Sequence, residues 1–296
     1  MGEFLNILKK DMIINMEIAE KDGHKIYLGN ALNILKNEIK NESIDLIFVD
    51  PPYNIGKVFG ANKENWKTDE AYLDWSYEWI DLCIKKLKPT GSIYIMGATQ
   101  FMPYIDIYLN KRLEILSRIM WHYDSSGVQA KKYFGSLYEP ILLAVKDRKK
   151  YTFNYKDILV EAKTGSKRKL IDYRRKEPKP YNTQKVPGNV WYYPRVRYRM
   201  NEYEEHPSQK PEELLKRIIL ASSNIDDTIL DPFSGTFTTS AVAKQLNRKS
   251  IGIEYEEEYY KIGLRRLDIT SEYNGNKLIK PEKRTKLKNR KKEINE

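Results

Sequence analysis

Short apolar runs alternate with amphipathic stretches along most of the chain. In the N-terminal half, the apolar and β-branched run 43–49 ends at Pro51-Pro52, which is typical of a buried strand followed by a turn. Residues 68–87 carry apolar side chains at helical spacing, and a second apolar run, 91–97, follows. This order of strand, helix and strand predicts an α/β fold built on a parallel sheet.

The same alternation returns near the C-terminus. Pro211 is suited to the first turn of a helix, and residues 228–231 and 250–254 are strand-like runs that enclose a predicted helix at 238–246. Residues 3–19 show the spacing of a further amphipathic helix. From 127 to 205 the periodicity is weak, except for a core strand predicted at 140–145. The chain therefore predicts two α/β halves separated by an irregular segment.

Charge distinguishes this irregular segment from the rest. The 296 residues carry a net charge of +11, and residues 151–200 hold 13 Lys and Arg against 4 Asp and Glu. The tail 277–296 holds 9 against 3. A single cysteine, Cys83, and three scattered histidines argue against a disulfide scaffold or a metal site. With no apolar run of membrane-spanning length and no signal peptide, we expect a soluble, cytoplasmic protein.

The tetrapeptide Asp50-Pro51-Pro52-Tyr53 is the most informative candidate site. Proline fixes the backbone and offers no N–H, so the Asp50 carboxylate and the Pro51 carbonyl are two acceptors in fixed positions. Such a pair suits one exocyclic amine. Tyr53 offers a flat face on which a planar heterocycle can stack. Taken alone, the tetrapeptide also fits an ordinary turn after a strand.

A second candidate site lies between the strand 228–231 and the next helix. The sequence DPFSGTFTT, residues 231–239, lacks the GxGxxG pattern of nicotinamide-binding folds, but it occupies the position of a cofactor turn. Glu254 ends the following strand, where an acidic residue of a doubly wound sheet accepts hydrogen bonds from a ribose. Its alternative interpretation is a surface glutamate beside the acidic run 256–258.

Three motifs in their order resemble the DPPY-type amino-methyltransferases of the β class. They are DPPY at 50–53, HPSQKP at 206–211 and DPFSG at 231–235. Nearly the whole chain resembles YhdJ-type bacterial DNA adenine-N6 methyltransferases, most clearly at 121–132 and 137–142. The resemblance implies a Rossmann-like, circularly permuted methyltransferase fold dependent on S-adenosylmethionine (SAM), with a basic target-recognition insert.

The resemblance also implies a division of the chain. A catalytic half is expected at 1–125, the target-recognition insert at 126–205, a SAM-binding half at 206–275 and a basic disordered tail at 276–296. The implied reaction is methyl transfer to N6 of adenine in double-stranded DNA after base flipping. Residues 50–53 are then catalytic, and no metal is expected.

Eight residues are expected to bind the cofactor. They are Asn30, Ser208, Lys210, Asp231, Phe233, Gly235, Thr236 and Glu254. Asn30 replaces the more usual aspartate, and Phe237 stands where many relatives have a second glycine. Neither departure argues for an inactive enzyme.

The basic insert is expected to bind DNA, because its charge is interleaved with nine aromatic residues between 151 and 198. Its candidate contacts are Lys167, Arg168, Lys169, Arg174, Arg175, Lys176, Arg195 and Arg197. An N4-cytosine methyltransferase, an RNA substrate and a non-catalytic DNA-binding protein on this fold remain open alternatives. A homodimer and a cognate restriction endonuclease are open as partners, and the recognition sequence is not readable.

Overall fold

The computed structural model describes residues 16–59, 62–64, 66–124, 131–163, 170–174, 176–269, 272–273 and 276–277. Within them, nine strands form one sheet: β1 (Glu17–Lys21), β2 (His24–Leu28), β3 (Ile44–Val49), β4 (Leu87–Met96), β5 (Glu114–His122), β6 (Tyr138–Val145), β7 (Val190–Tyr192), β8 (Thr228–Asp231) and β9 (Lys249–Glu254).

The described helices are α1 (Ala31–Asn37), α2 (Asp69–Lys86), α3 (Met102–Asn110), α4 (Glu212–Ser222), α5 (Thr238–Gln245), α6 (Glu257–Arg266) and a 3₁₀ turn, Tyr155–Ile158. Two-residue strands pair outside the main sheet. They are Val58–Phe59 with Asn62–Lys63, Val160–Glu161 with Gln184–Lys185, Ile171–Asp172 with Lys179–Pro180, and Glu272–Tyr273 with Asn276–Lys277.

The strand order of the main sheet is β1-β2-β9-β8-β3-β4-β6-β5-β7. Strands β2, β9, β8, β3 and β4 are parallel, whereas β6 runs antiparallel to both of its neighbours. The C-terminal strands β8 and β9 thus insert between β2 and β3 from the N-terminal half. This order confirms the predicted circularly permuted α/β sheet. It also brings the carboxyl ends of these five strands to one edge, where open α/β sheets bind ligands.

Helices cover both faces of the sheet. Along β3, Leu46 and Phe48 pack under α4 and α5, and Ile47 and Val49 pack under the helices of the opposite face. Because both faces are covered, this strand reads as a continuous apolar run rather than an alternating one. The long helix α2 is capped by Thr68, whose hydroxyl accepts a hydrogen bond from the Ala71 N–H at 3.2 Å.

Phe237 lies in a left-handed backbone conformation, with φ of +55°, and its side chain is fully buried. The ring occupies a slot bordered by Gly252 and Gly263; a Cβ atom on Gly252 would lie 2.6 Å from it. It packs with residues of β2 and α6, such as Ile26 and Tyr260. The side chain is therefore part of the core between β2, β9 and α6.

The structure corrects parts of the sequence analysis. The helix predicted at 3–19 is wrong over residues 17–19, which belong to β1; residues 1–15 lie outside the described part. The pattern also gave no sign of α1, α3 and α6, nor of β5 and β7. The expected insert 126–205 contributes β6 and β7 to the main sheet, so the portion between those strands is narrower, at 146–189.

Candidate active site

A cavity of about 470 Å³ lies at the carboxyl edge of the sheet. Its walls come from the turns after four parallel strands, beginning at Gly29, Asp50, Asp231 and Glu254. Segments 206–210 and 57–66 contribute further lining residues. Two of the sequence motifs, DPPY and DPFSG, therefore share one space although they lie about 180 residues apart in the chain. The volume is in the range of about 300 to 1,000 Å³ found for small-molecule sites.

Asp50 is the residue immediately after β3, and both of its carboxylate oxygens have partners. The Lys210 ammonium lies 2.6 Å from Oδ2, and the Tyr53 hydroxyl donates to Oδ1 at 2.7 Å. Burial of Lys210 disfavours its charge, but the carboxylates of Asp50 and Glu139 raise the pKa of this lysine above its ordinary value. Lys210 thus remains an ammonium, and it holds the carboxylate in one orientation.

Glu139 is a member of this cluster that sequence reasoning missed. The Tyr53 hydroxyl lies 2.9 Å from its Oε2, and Lys210 and Arg195 lie 3.8 and 3.7 Å from its two oxygens. Burial and the two carboxylates raise the pKa of Tyr53 well above its ordinary value, so the phenol keeps its hydrogen. The sequence signal was a glutamate within an otherwise apolar strand, where an unpaired charge is costly.

The carbonyl groups of the two prolines differ in their surroundings. The Tyr72 hydroxyl donates to the carbonyl of Pro52 at 2.9 Å. Among the described residues, none donates a hydrogen bond to the carbonyl of Pro51. Asp50 and Pro51 both line the cavity, so the carboxylate of the first and the carbonyl of the second are two acceptors at the same site.

Glu64 anchors the loop that follows Tyr53. One of its oxygens accepts from the Tyr53 N–H at 2.8 Å, and the other accepts from the N–H groups of Ile55 and Lys57 at 2.7 and 3.2 Å. Three charge-assisted hydrogen bonds fix this stretch of backbone against the cavity. Sequence reasoning did not single out Glu64, because its role depends on backbone groups up to 11 residues away.

Glu254 lies at the end of β9, buried in the cavity wall. Its carboxylate accepts hydrogen bonds from the N–H groups of Gly235, at 2.7 Å, and of Tyr255 and Glu256, both at 2.8 Å. Burial raises the pKa of Glu254 to about 7 although these three bonds oppose the shift. Since an ionised carboxylate offers about four lone-pair sites, the group can accept one more hydrogen bond.

The Asp231 carboxylate stabilises the turn that follows β8. Its Oδ1 accepts from the Phe233 N–H at 3.1 Å, and its Oδ2 accepts from the Thr239 hydroxyl at 2.5 Å. Burial raises the pKa of Asp231 to about 7. These bonds tie the DPFSG turn to the first turn of α5, so Asp231 shapes the cavity wall.

His206 belongs to the HPSQKP motif, but the sequence analysis gave it no role. Its Nδ1 accepts from the Ser208 N–H at 3.2 Å, and its ring packs edge-on against Tyr259. Burial and the nearby Lys210 lower the pKa of His206 to about 4, so the imidazole is neutral. Its Nε2 would lie 3.1 Å from a Cβ on Gly235, where φ is +50°. Glycine at this position keeps the turn close to the histidine.

The remaining cavity-lining groups include amide, hydroxyl and aromatic side chains. Asn30 caps α1, with its Oδ1 accepting from the Asn33 N–H at 3.1 Å. Trp75 lies 5.5 Å from Phe233, measured between ring centroids, and 4.9 Å from Trp66. The predicted cofactor residues all lie on the cavity, and they are Asn30, Ser208, Lys210, Asp231, Phe233, Gly235, Thr236 and Glu254.

A family model described as DNA methylase matches residues 44–265. The chain belongs to this family. It is 62% identical over 256 residues to the DNA adenine methyltransferase YhdJ of Escherichia coli K12, with 86% of each chain covered. Among solved structures, the SAM complex of M1.HpyAVI matches with 27% identity and a TM-score of 0.54, over 81% of this chain and 98% of that one.

A further solved structure shares the fold of this methylase. The cytosine-N4-specific PvuII DNA methyltransferase matches with a TM-score of 0.64 at 19% identity, over 85% of this chain and 90% of that one. An enzyme named for cytosine N4 and one named for adenine are thus both similar to this chain. The fold alone does not choose the target base.

The methylase uses SAM as methyl donor, and the cavity fits that molecule. Its volume accommodates a nucleoside with a side chain, and it combines the Glu254 carboxylate, the Asn30 amide and the Phe233 ring. Glu254 retains an acceptor site for a ribose hydroxyl. Among the described residues, no cluster of acidic, histidine and cysteine side chains has the make-up of a metal site. None of the described helices has the length and apolarity of a membrane span.

The predicted DNA contacts are only partly placed. Lys167, Arg168, Lys169 and Arg175 lie outside the described residues. Arg174 is highly exposed and pairs with Asp172 at 2.9 Å, and Lys176 is exposed on the same stretch. Neither contacts the cavity.

Arg195 and Arg197 lie nearer to the reaction site. The Arg195 guanidinium is 4.6 Å from the ring centre of Tyr123 and contacts Glu139. Arg197 donates to the carbonyl of Asp124 at 3.2 Å. Arg195 is therefore linked through Glu139 to the cluster around Tyr53, a contact that its charge alone did not predict.

Proposed function

We propose that this methylase transfers a methyl group to the exocyclic N6 of adenine in double-stranded DNA. The observation that carries the proposal is the pair of acceptors after β3, the Asp50 carboxylate and the Pro51 carbonyl, held at the wall of the cavity. Two acceptors at fixed positions match the two N–H groups of one amine. The 62% identity to a protein named as an adenine methyltransferase supports adenine over cytosine.

SAM supplies an electrophilic methyl group on a sulfonium. We assign the ribose to Glu254, the adenine of the cofactor to Asn30 and Phe233, and the remaining contacts to Ser208, Asp231, Gly235 and Thr236. The backbone amides that already hold Glu254 fix its carboxylate before the cofactor arrives. Binding therefore requires little reorganisation of this wall.

Asp50 and Pro51 act on the target nitrogen by position and charge. Hydrogen bonds from its two N–H groups draw the nitrogen lone pair out of conjugation and orient it. The negative carboxylate also favours the positive charge that develops on the nitrogen during transfer. Asp50 is not needed as a base before transfer, because the amine becomes acidic only once it carries the methyl group, and the nitrogen loses its proton after that step.

The target base must leave the duplex to reach this cavity, because its amine is otherwise inside the stack. We assign Tyr53 to stacking against the extruded base. Its hydroxyl lies within hydrogen-bond distance of two carboxylates, which fixes the position of the far end of the ring. Pro52, whose carbonyl bonds Tyr72, completes the rigid turn.

We assign target recognition to the basic region within the expected insert 126–205, chiefly the part outside the sheet, 146–189. Arg174 and Lys176 are exposed there. Further along the expected insert, Arg195 contacts Glu139 next to Tyr53, and Arg197 donates to the carbonyl of Asp124. Positive charge of this kind neutralises phosphates, and it leaves the recognition sequence unspecified.

The test is incubation of the purified protein with SAM and bacterial DNA lacking methylated bases, followed by mass spectrometry of the released nucleosides. N6-methyladenine is the expected product. N4-methylcytosine as the sole product would overturn the choice of base, and methylation of RNA with DNA untouched would overturn the choice of nucleic acid. Asp50→Asn serves as the matched inactive variant.

A further inference from the structure

The phenol oxygen of Tyr53 lies between two carboxylates. It is 2.7 Å from Oδ1 of Asp50 and 2.9 Å from Oε2 of Glu139. A phenol carries one hydrogen, so Tyr53 can donate to only one of these carboxylates at a time. Glu139 therefore offers an alternative acceptor for the hydrogen bond that otherwise occupies Asp50.

Glu139 is held in this place by opposite charges. Its side chain is only 12% exposed and lies near the start of β6, with Lys210 and Arg195 within 4 Å. A carboxylate that is so little solvated needs such partners. Because Lys210 also binds Oδ2 of Asp50, the two carboxylates are connected both through an ammonium and through a phenol.

We propose that Glu139 is a positioning residue for methyl transfer, acting through Tyr53. When the target amine approaches, the hydroxyl of Tyr53 rotates its hydrogen from Asp50 to Glu139. Loss of the phenol's hydrogen bond makes Oδ1 of Asp50 a stronger acceptor for an N–H of the amine, while Lys210 keeps Oδ2 in place. The inference rests on the proposed role of Asp50 in binding that amine.

The inference makes the effect of Glu139 depend on the Tyr53 hydroxyl. Without Glu139, the hydroxyl has no second acceptor, and its hydrogen bond continues to weaken Oδ1 of Asp50 as an acceptor. Without the hydroxyl, Oδ1 is already at full acceptor strength, and loss of Glu139 should then have little effect. A role in folding or in binding Arg195 would not show this dependence.

The test is a double-mutant cycle with Glu139→Ala and Tyr53→Phe, read by single-turnover methyl transfer at saturating DNA and SAM. Glu139→Ala is expected to slow transfer by about 10- to 100-fold, the scale of a charged hydrogen bond, with KM for DNA and Kd for SAM nearly unchanged. In the Tyr53→Phe background the same substitution should change the rate by less than about 3-fold. Glu139→Gln keeps an acceptor oxygen and should recover part of the loss.

Glu114→Ala is the matched control, since Glu114 lies on the neighbouring strand β5 and pairs with Arg148 at the surface. It should leave the rate unchanged. The inference would be overturned if the fold loss in rate of the double mutant equalled the product of the two single-mutant losses. It would also be overturned if Glu139→Ala transferred methyl groups at the wild-type rate. If circular dichroism shows that the alanine variant does not fold, the cycle is run with Glu139→Gln under the same criterion. Full activity of Asp50→Asn would instead refute the proposed function itself.

Discussion

The ammonium of Lys210 lies 2.6 Å from the carboxylate of Asp50, inside a cavity that excludes most water from both groups. A buried ion pair of this kind is costly to break from one side, because the remaining charge has no solvent to replace its partner. The pair therefore links stability of the fold to the integrity of the reaction site.

This link determines how the role of Asp50 should be tested. Asp50→Ala leaves a buried ammonium without its nearest partner and is expected to cost about 3 to 5 kcal/mol of unfolding free energy. Asp50→Asn keeps the shape and an acceptor oxygen, so its loss of stability should be smaller. Both variants should lose methyl transfer, and Asp50→Asn should keep its affinity for SAM.

Chemical denaturation gives the stability of each variant, and calorimetry gives the affinity for SAM. Asp50→Asn turnover within a few-fold of the wild type would remove Asp50 from the reaction. Lys216→Ala serves as a control, since this lysine pairs with Glu213 on the exposed face of α4.

The pKa of Glu254, raised by burial to about 7, predicts that cofactor affinity depends on pH. The ionised carboxylate accepts hydrogen bonds from a ribose, whereas the protonated form has lost part of that capacity. Affinity for SAM should thus fall as pH falls through 7, by about 10-fold between pH 8 and pH 6 if only the ionised form binds. Isothermal titration calorimetry at several pH values measures this affinity.

Two variants separate Glu254 from its neighbours. Glu254→Gln should bind SAM more weakly, by about 1 to 3 kcal/mol, and without this pH dependence. Asp231→Asn should retain the pH dependence, although burial also raises the pKa of Asp231 to about 7. His206, with a pKa lowered to about 4, is neutral throughout this range. A pH-independent affinity in the wild type would place the ribose elsewhere.

The apolar pattern was sufficient for the parallel sheet, because strands covered on both faces, such as β3, consist of almost nothing but buried side chains. Elements with mixed burial were missed. In β7, Val190 and Tyr192 are exposed and only Trp191 is buried, so this three-residue strand is too short to show the hydrophobic alternation of a strand. Helix α1 is seven residues long, and only Ile34 and Leu35 in it are buried.

The site residues also fall into two groups, those that the sequence predicted and those that it did not. Asp50, Glu254 and the DPFSG turn were predicted because each ends a strand, and the carboxyl ends of parallel strands meet at one edge. Glu139 and Glu64 make contacts that the fold creates, with a side-chain group 86 residues away and a backbone group 11 residues away, respectively. No local spacing encodes such contacts. The expected function of Lys210 in cofactor binding likewise gave no hint of its contact with Asp50.

Phe237 fills a slot between two glycines, and this predicts a compensating pair of substitutions. Phe237→Ala removes a fully buried ring and should cost about 3 to 5 kcal/mol of unfolding free energy. Gly263→Ala alone should also destabilise the protein, because its methyl group would overlap that ring. In the double variant, the methyl enters space that the ring has vacated, so the combined loss should be less than the sum.

Denaturant titrations of the three variants measure this coupling, and additive losses would contradict the packing. SAM affinity of the folded variants should stay close to that of the wild type, because the Phe237 ring does not line the cavity. A large loss of affinity would show that the phenylalanine shapes the cofactor turn directly.

The basic region predicts a change in the salt dependence of DNA binding. Arg174, Lys176 and Arg197 are exposed, and each phosphate contact that is removed should flatten the slope of log K against log salt by about 0.9. Replacing all three by alanine should weaken specific and non-specific DNA alike, and SAM binding should persist. A residue that reads a base would behave differently, costing about 1 to 3 kcal/mol at one position of the site. Fluorescence anisotropy at several salt concentrations distinguishes the two. Lys36→Ala, on α1, is the matched control. An unchanged slope in the triple variant would show that DNA contacts other residues, and the basic tail after Lys277 would be tested next.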